Sequence, residues 1–190
     1  MSREPELEPF TTMIEYATGD IEPRRGTTER RLGDMVGMYL EEADPARADE
    51  LVYRVLEIPV PTTGSNLMSS TTTIEPGKVG DEYFMTKGHF HAEFDRAEIY
   101  FGLAGEGRLV MATESGRPAV ETIRAGSVNY VPGRWAHRTV NVGAEPLVFF
   151  AAYPADAGYD YGTIEREGFP VLVVERDGGP EVVDNPRYGG

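Results

Sequence analysis

The chain has 190 residues, three histidines, no cysteine and a formal net charge of −14. That length suits one domain with a core large enough to fold without disulfides, and the absence of thiols leaves packing or a non-thiolate metal as the only staple. The acidity disfavours nucleic acid and anionic membrane as partners, and a phosphorylated small molecule would have to meet a locally favourable site.

The opening stretch MSREPELEPF has no basic segment followed by an apolar one, so no leader peptide is expected. No window approaches the roughly 20 apolar residues that span a bilayer, and a cytoplasmic protein is the expectation. Residues 1–66 read as a mixed, irregular extension. Within it, DPARADEL predicts a short helix with Asp44 as N-cap and Pro45 at the first helical position. VYRVLEI (52–58) then alternates as a strand, and Pro59, Pro61 and Gly64 end it.

From residue 67 to 190 strand follows strand: NLMSSTTTIE, EYFMT, AEIYFGL, GRLVMAT, AVETIR, SVNYV, RTVNV, LVFFAAY and VLVVE. The separators EPGKVG, AGEG, ESGRP, AGS, GAEP and RDGG carry turn residues, and TIEREG (163–168) reads as a helical turn. Short strands at intervals near ten residues predict an all-β sandwich or barrel. The expected organisation is a single domain, with 1–66 packed on a core of 67–190.

The histidines are the chemical signal. Two of the three stand one residue apart, His89 and His91, in KGHFHAEFDRAEIYF, and the third is His137 in VPGRWAHRTVN. Residues i and i+2 of an extended chain face one side, so the imidazoles of His89 and His91 fall together with Phe90 turned away. Glu98 begins the next strand, and a barrel can carry His137 alongside. Three imidazoles and a carboxylate suit Fe, Mn, Co, Ni or Zn as a divalent ion. A His-x-His pair is weak by itself; the weight comes from every histidine of the chain standing at a plausible ligand position.

The arrangement resembles the cupin superfamily. Its first motif reads here as His89, His91, Glu98 and Gly105, and its second as Gly126, Pro132, His137 and Asn141. Six residues separate His91 from Glu98, a longer spacer than usual, and Tyr83 and Arg134 replace two motif glycines. With those departures, the stretches RRLGDM, TTTIEPGKVG, TKGHFHAEFDRAEIY, YVPGRWAHRTVN, YPADAGYDYGTI and VVDNPR resemble the cupin-type glucose-6-phosphate isomerases of archaea and some bacteria. The likeness runs from about residue 10 to 187.

The resemblance implies a cupin (jelly-roll) barrel and a homodimer. It implies interconversion of glucose 6-phosphate and fructose 6-phosphate through a cis-enediol, with one divalent metal per chain. Fe2+ or Mn2+ is favoured, and Ni2+ or Zn2+ is an alternative. His89, His91, Glu98 and His137 would be the ligands, and Glu98, His137 and Tyr161 would act in catalysis. Tyr53, Thr72, Thr86 and Gly88 would meet the phosphate, and Tyr100, Tyr153 and Tyr161 the sugar. Threonines are common in strands and tyrosines in barrel interiors, so these assignments rest on the resemblance alone. Tyr159 stands where relatives usually carry a histidine; a phenol can donate a hydrogen bond but is a poor base near neutral pH. Two other readings stay open: a cupin dioxygenase on the same ligand set, and a sugar-phosphate-binding protein without turnover.

Overall fold

The computed structural model describes residues 7–189; Met1–Glu6, most of the stretch read above for a leader, lie outside them. The chain begins with three strands, Met13–Ile14 (β1), Ile21–Glu22 (β2) and Gly26–Arg31 (β3). Leu51–Glu57 (β4) and Leu67–Ile74 (β5) follow, and then the two-residue strands Lys78–Val79 (β6) and Glu82–Tyr83 (β7). The second half carries Glu98–Ala104 (β8), Glu106–Thr113 (β9), Pro118–Arg124 (β10), Val128–Val131 (β11), Trp135–Asn141 (β12) and Leu147–Pro154 (β13). A helix, Gly162–Glu167 (α1), precedes the hairpin of Val171–Arg176 (β14) and Gly179–Asp184 (β15).

Two sheets make the barrel. One runs β11-β8-β13-β5-β4-β3 and the other β10-β9-β12, antiparallel throughout. The expected all-β class and cupin barrel are what is found. Alternation explains the wall. Glu98, Tyr100, Asn129 and Val131 turn inward and are buried, whereas Ile99, Phe101, Val128 and Tyr130 are exposed on the outside. Phe84, Phe149, Phe169, Leu109, Ile74 and Leu147 are fully buried, each contributing about 1.5–3 kcal/mol on leaving water.

Several elements differ from the sequence expectation. The extension is not irregular: β3 and β4 continue the six-stranded sheet beyond β5. In GTTERR the inward positions are Gly26, Thr28 and Arg30, so hydrophobic periodicity gives no signal there. EYFMT is a strand only at Glu82–Tyr83. Beyond it the chain pairs with β12 through single bridges, Met85 with Val140 and His89 with His137. His137 lies inside β12 rather than before a strand. The helix expected over DPARADEL is one 3-10 turn, Pro45–Arg47, with the Asp44 carboxylate accepting from the Ala46 N–H as expected of an N-cap.

Turn chemistry accounts for two positions. Asp177 (φ +52°) and Gly178 (φ +81°) form the tight reversal between β14 and β15, the left-handed pair that an Asp-Gly hairpin turn demands. Arg134, standing where the cupin motif has glycine, also adopts a left-handed φ of +70°. Its backbone N–H donates to the Phe94 carbonyl at 2.6 Å and its Nε to Asp95 at 2.6 Å, contacts that hold a side chain where glycine would be relaxed.

Candidate functional site

The segment around His89 is clamped from two sides. On one side His89 and His137 exchange backbone hydrogen bonds, N–H to carbonyl, at 3.2 and 3.1 Å. On the other, Phe90 and Asp160 do the same at 3.2 and 2.8 Å. Two-fold alternation survives in this short bridge: Phe90 is buried against Phe94, with ring centroids 5.5 Å apart, and the imidazoles face the barrel interior. Ring centroids lie 4.5 Å apart for His89–His137, 5.2 Å for His91–His137 and 5.5 Å for His89–His91. Glu98 reaches in from the opposite sheet, with Oε2 3.0 Å from His137 Nε2 and 3.3 Å from His91 Nε2. One donor atom from each of the four residues lies within 4.8 Å of the others.

These donors point at a shared centre more than at one another. His89 Nε2 and His137 Nε2 are buried without a hydrogen-bond partner; the short His137–Glu98 contact is not aligned as a hydrogen bond. His91 donates Nδ1–H to the Arg96 carbonyl at 2.8 Å, which fixes the tautomer and leaves the Nε2 lone pair facing the cluster. Two buried imidazole nitrogens without partners, a third turned to Glu98 at 3.3 Å, and the carboxylate between them fit a divalent metal in an N3O set.

Electrostatics agrees with that geometry. Burial, reinforced by the neighbouring His137, holds His89 well below the ordinary histidine range, so it stays a neutral donor. At His91 burial works to lower the pKa, but the Glu98 carboxylate and the Arg96 carbonyl outweigh it and the net shift is upward. Burial alone would raise Glu98; the close approach of His137 and the hydrogen bond with His91 more than reverse it and pull the carboxyl down to about 2. Glu98 is therefore ionised at neutral pH.

The cluster opens into a cleft. Its floor is the inner face of the six-stranded sheet, and register orders it in rows. One row joins Tyr100, Ala151, Ser70 and Glu57; the next joins Phe149, Thr72, Val55 and Thr28; the third joins Ile74, Tyr53 and Arg30. Thr86 and Gly88 line the same cleft. Gly88 is left-handed at φ +77°, and a Cβ there would come within 2.8 Å of Arg138 Cβ and 2.9 Å of the His137 carbonyl, so only glycine brings this backbone N–H to the wall. Thr86 is fixed by β12, donating its N–H to the Thr139 carbonyl at 2.9 Å while its Oγ1 accepts the Thr139 N–H at 3.1 Å.

Tyrosines line the side nearest the cluster. Tyr159 and Tyr153 share a hydroxyl hydrogen bond of 2.6 Å. Tyr159 stacks on Tyr161 at 5.7 Å and meets His89 edge-on at 4.8 Å. Tyr100 stacks on Phe149 at 4.7 Å. Burial pushes the Tyr159 phenol up to about 12, so it is a hydrogen-bonding group rather than an anion. All eleven residues anticipated for the site, from Tyr53 to Tyr161, fall at the cluster or along its cleft. The sequence reading missed Thr28, Arg30, Glu57 and Ser70, which also line it. Strand alternation within GTTERR was the one signal for the first two, and the polar inward face hid it.

The family model for glucose-6-phosphate isomerase (GPI) matches residues 29–187. The chain belongs to the glucose-6-phosphate isomerase family. Glucose-6-phosphate isomerase of Pyrococcus furiosus is 45% identical over 185 residues, spanning 95% of this chain and 97% of that one. Glucose-6-phosphate isomerase of Sinorhizobium medicae is 39% identical over 189 residues, spanning 96% of this chain and 88% of that one. Among solved structures, Bacillus subtilis oxalate decarboxylase superposes with a TM-score of 0.45 at 27% identity. That match spans 57% of this chain and about a quarter of the decarboxylase, 27%. The GPI match covers both halves of the site, since the His/Glu cluster and the cleft residues from Arg30 to Tyr161 fall within it.

Proposed function

We propose that this member of the glucose-6-phosphate isomerase family interconverts glucose 6-phosphate and fructose 6-phosphate through a cis-enediol, with one divalent metal held by His89, His91, Glu98 and His137. The carrying observation is that one cleft joins the buried His/Glu cluster to a set of neutral donors two and three sheet rows away. An open-chain sugar phosphate has the matching layout, with reacting oxygens at one end and phosphate at the other. The bound ion would supply a Lewis acid for the two oxygens of the reacting carbons, and Fe2+ or Mn2+ is the favoured identity.

The chain's own groups do the rest. The ionised Glu98 carboxylate accepts the proton from C2 and returns it to C1, the role of a general base and then acid. His91 is held in place by its Arg96 contact, and His137 by β12. Tyr161, Tyr159, Tyr153 and Tyr100 offer hydroxyls to the sugar and narrow the cleft around it. Tyr53, Thr72, Thr86 and the Gly88 N–H receive the phosphate. The same family reading carries a homodimer, formed on the outer face of the six-stranded sheet, where Ile99, Phe101, Val128 and Tyr130 are exposed side by side.

The test is a coupled isomerase assay on chelator-stripped protein before and after addition of Mn2+ or Fe2+, alongside His137→Ala. Turnover that appears only on metal addition, with metal lost from the variant, supports the reading. Tight sugar-phosphate binding without product by the metal-loaded protein would make it a binding protein instead.

A further inference from the structure

The phosphate end of the cleft has an unmet electrostatic requirement. A sugar phosphate arrives largely as a dianion, and the whole chain carries −14. Tyr53, Thr72, Thr86 and Gly88 offer only neutral donors. Lys87, beside them, has its ammonium 3.5 Å from the Glu165 carboxylate. Arg25 at the outer end of β3 pairs with Glu57. Arg138, also without a carboxylate partner, turns its guanidinium to the Lys87 carbonyl, the Met85 sulfur and the Phe169 ring, whereas Arg30 lines the cleft itself. It sits on β3 directly across from Tyr53, half-buried, with its side chain lining the cleft. Its guanidinium makes one hydrogen bond, to the Glu29 carbonyl at 3.1 Å, and it takes part in no ion pair among the described residues, unlike Arg25, Arg31, Arg47 and Arg54.

Resting on the isomerase reading, we infer that Arg30 is the cation that receives the phosphate group and makes the cleft select phosphorylated over free sugars. A guanidinium presents several donors in a rigid fork matched to phosphate oxygens. Here it stands in the third row of the cleft floor, the row farthest from Glu98. Its field already reaches the neighbouring phenols. Burial, followed by the proximity of Tyr161, raises Tyr53 to about 12, and Arg30 pulls against that rise. Arg30 likewise opposes the burial that raises Tyr161. Arg30 and Tyr53 thus stand side by side on β3 and β4 along the cleft wall, in the row farthest from Glu98. Because β3 belongs to the amino-terminal extension, that extension completes the substrate site as well as the sheet.

The experiment compares wild type, Arg30→Met and Arg30→Lys as metal-loaded protein, with metal content and thermal melting as checks on folding. Two quantities are read: the kinetics with glucose 6-phosphate, and the affinity for inorganic phosphate by titration calorimetry. Losing a charge-assisted bidentate contact weakens binding by about 10–100-fold. Arg30→Met should therefore raise KM by that factor with kcat nearly unchanged and weaken phosphate binding in parallel, and Arg30→Lys should recover part of both. KM and phosphate affinity within twofold of wild type in Arg30→Met would overturn the assignment while leaving the isomerase reading intact. Phosphate binding that depends on Arg30 in a wild-type protein that does not turn over would do the reverse.

Discussion

Glu98 reaches from β8 to His137 of the facing sheet, and the proposed reaction asks it to be both ligand and base. Glu98→Gln keeps the shape and one oxygen toward the imidazoles but removes the group that accepts a proton. Metal content should be largely retained while turnover falls by about 10²–10⁴-fold, the usual cost of deleting a general base. Elemental analysis beside the coupled assay checks it; a variant with near-wild-type turnover would reduce Glu98 to a ligand. This residue was legible in the sequence because histidine is so scarce: three histidines and the first carboxylate of the following strand were the whole candidate set. Arg30 was not legible in the same way. Its role depends on which face of a polar strand it occupies and on the absence of a carboxylate partner, and only coordinates supply either.

At the scale of elements, the site depends on how the segment 159–161 is docked. The Asp160 backbone pairs with Phe90, and its carboxylate accepts from the Thr163 hydroxyl at 2.7 Å and, more loosely, from the Thr163 N–H at 3.4 Å. That side chain starts α1 and sets Tyr159 and Tyr161 on either side of it against His89. Asp160→Ala removes these bonds to the first turn of α1, which costs about 1 kcal/mol and lowers Tm by roughly 2–4 °C in a chain of this size. KM should rise as the two phenols lose their support; unchanged melting and KM would show that the backbone pairing alone suffices. The helical turn itself was readable from TIEREG, and the β14–β15 hairpin was readable in principle from Asp177-Gly178 followed by an alternating EVV. What the sequence did not show was the Tyr153–Tyr159 hydroxyl contact. It couples β13 to the segment 159–161.

For the whole molecule, the outer face of the six-stranded sheet bears on assembly. Val128 pairs with Phe101 and Tyr130 with Ile99, so the four exposed side chains form one apolar block across β11 and β8. The proposed homodimer would bury this patch against the same patch of a second copy, as a two-fold interface requires. The wild type should sediment as a dimer at micromolar concentration and Phe101→Glu as a monomer, since burying an unpaired carboxylate costs several kcal/mol. A dimer indifferent to that substitution would move the interface elsewhere. The extension contributes to the site from the far side of the same sheet, through β3.

Following the C2 hydrogen tests the central claim most directly. Glucose 6-phosphate deuterated at C2 is converted by metal-loaded protein in ordinary water, and NMR records where the label goes. Proton transfer through Glu98 predicts fructose 6-phosphate with part of its deuterium lost to solvent, because a carboxylate proton in a cleft open to water exchanges during the lifetime of the enediol. Complete retention of deuterium at C1 would contradict it and point to a hydride shift, and absence of conversion would contradict the isomerase reading itself.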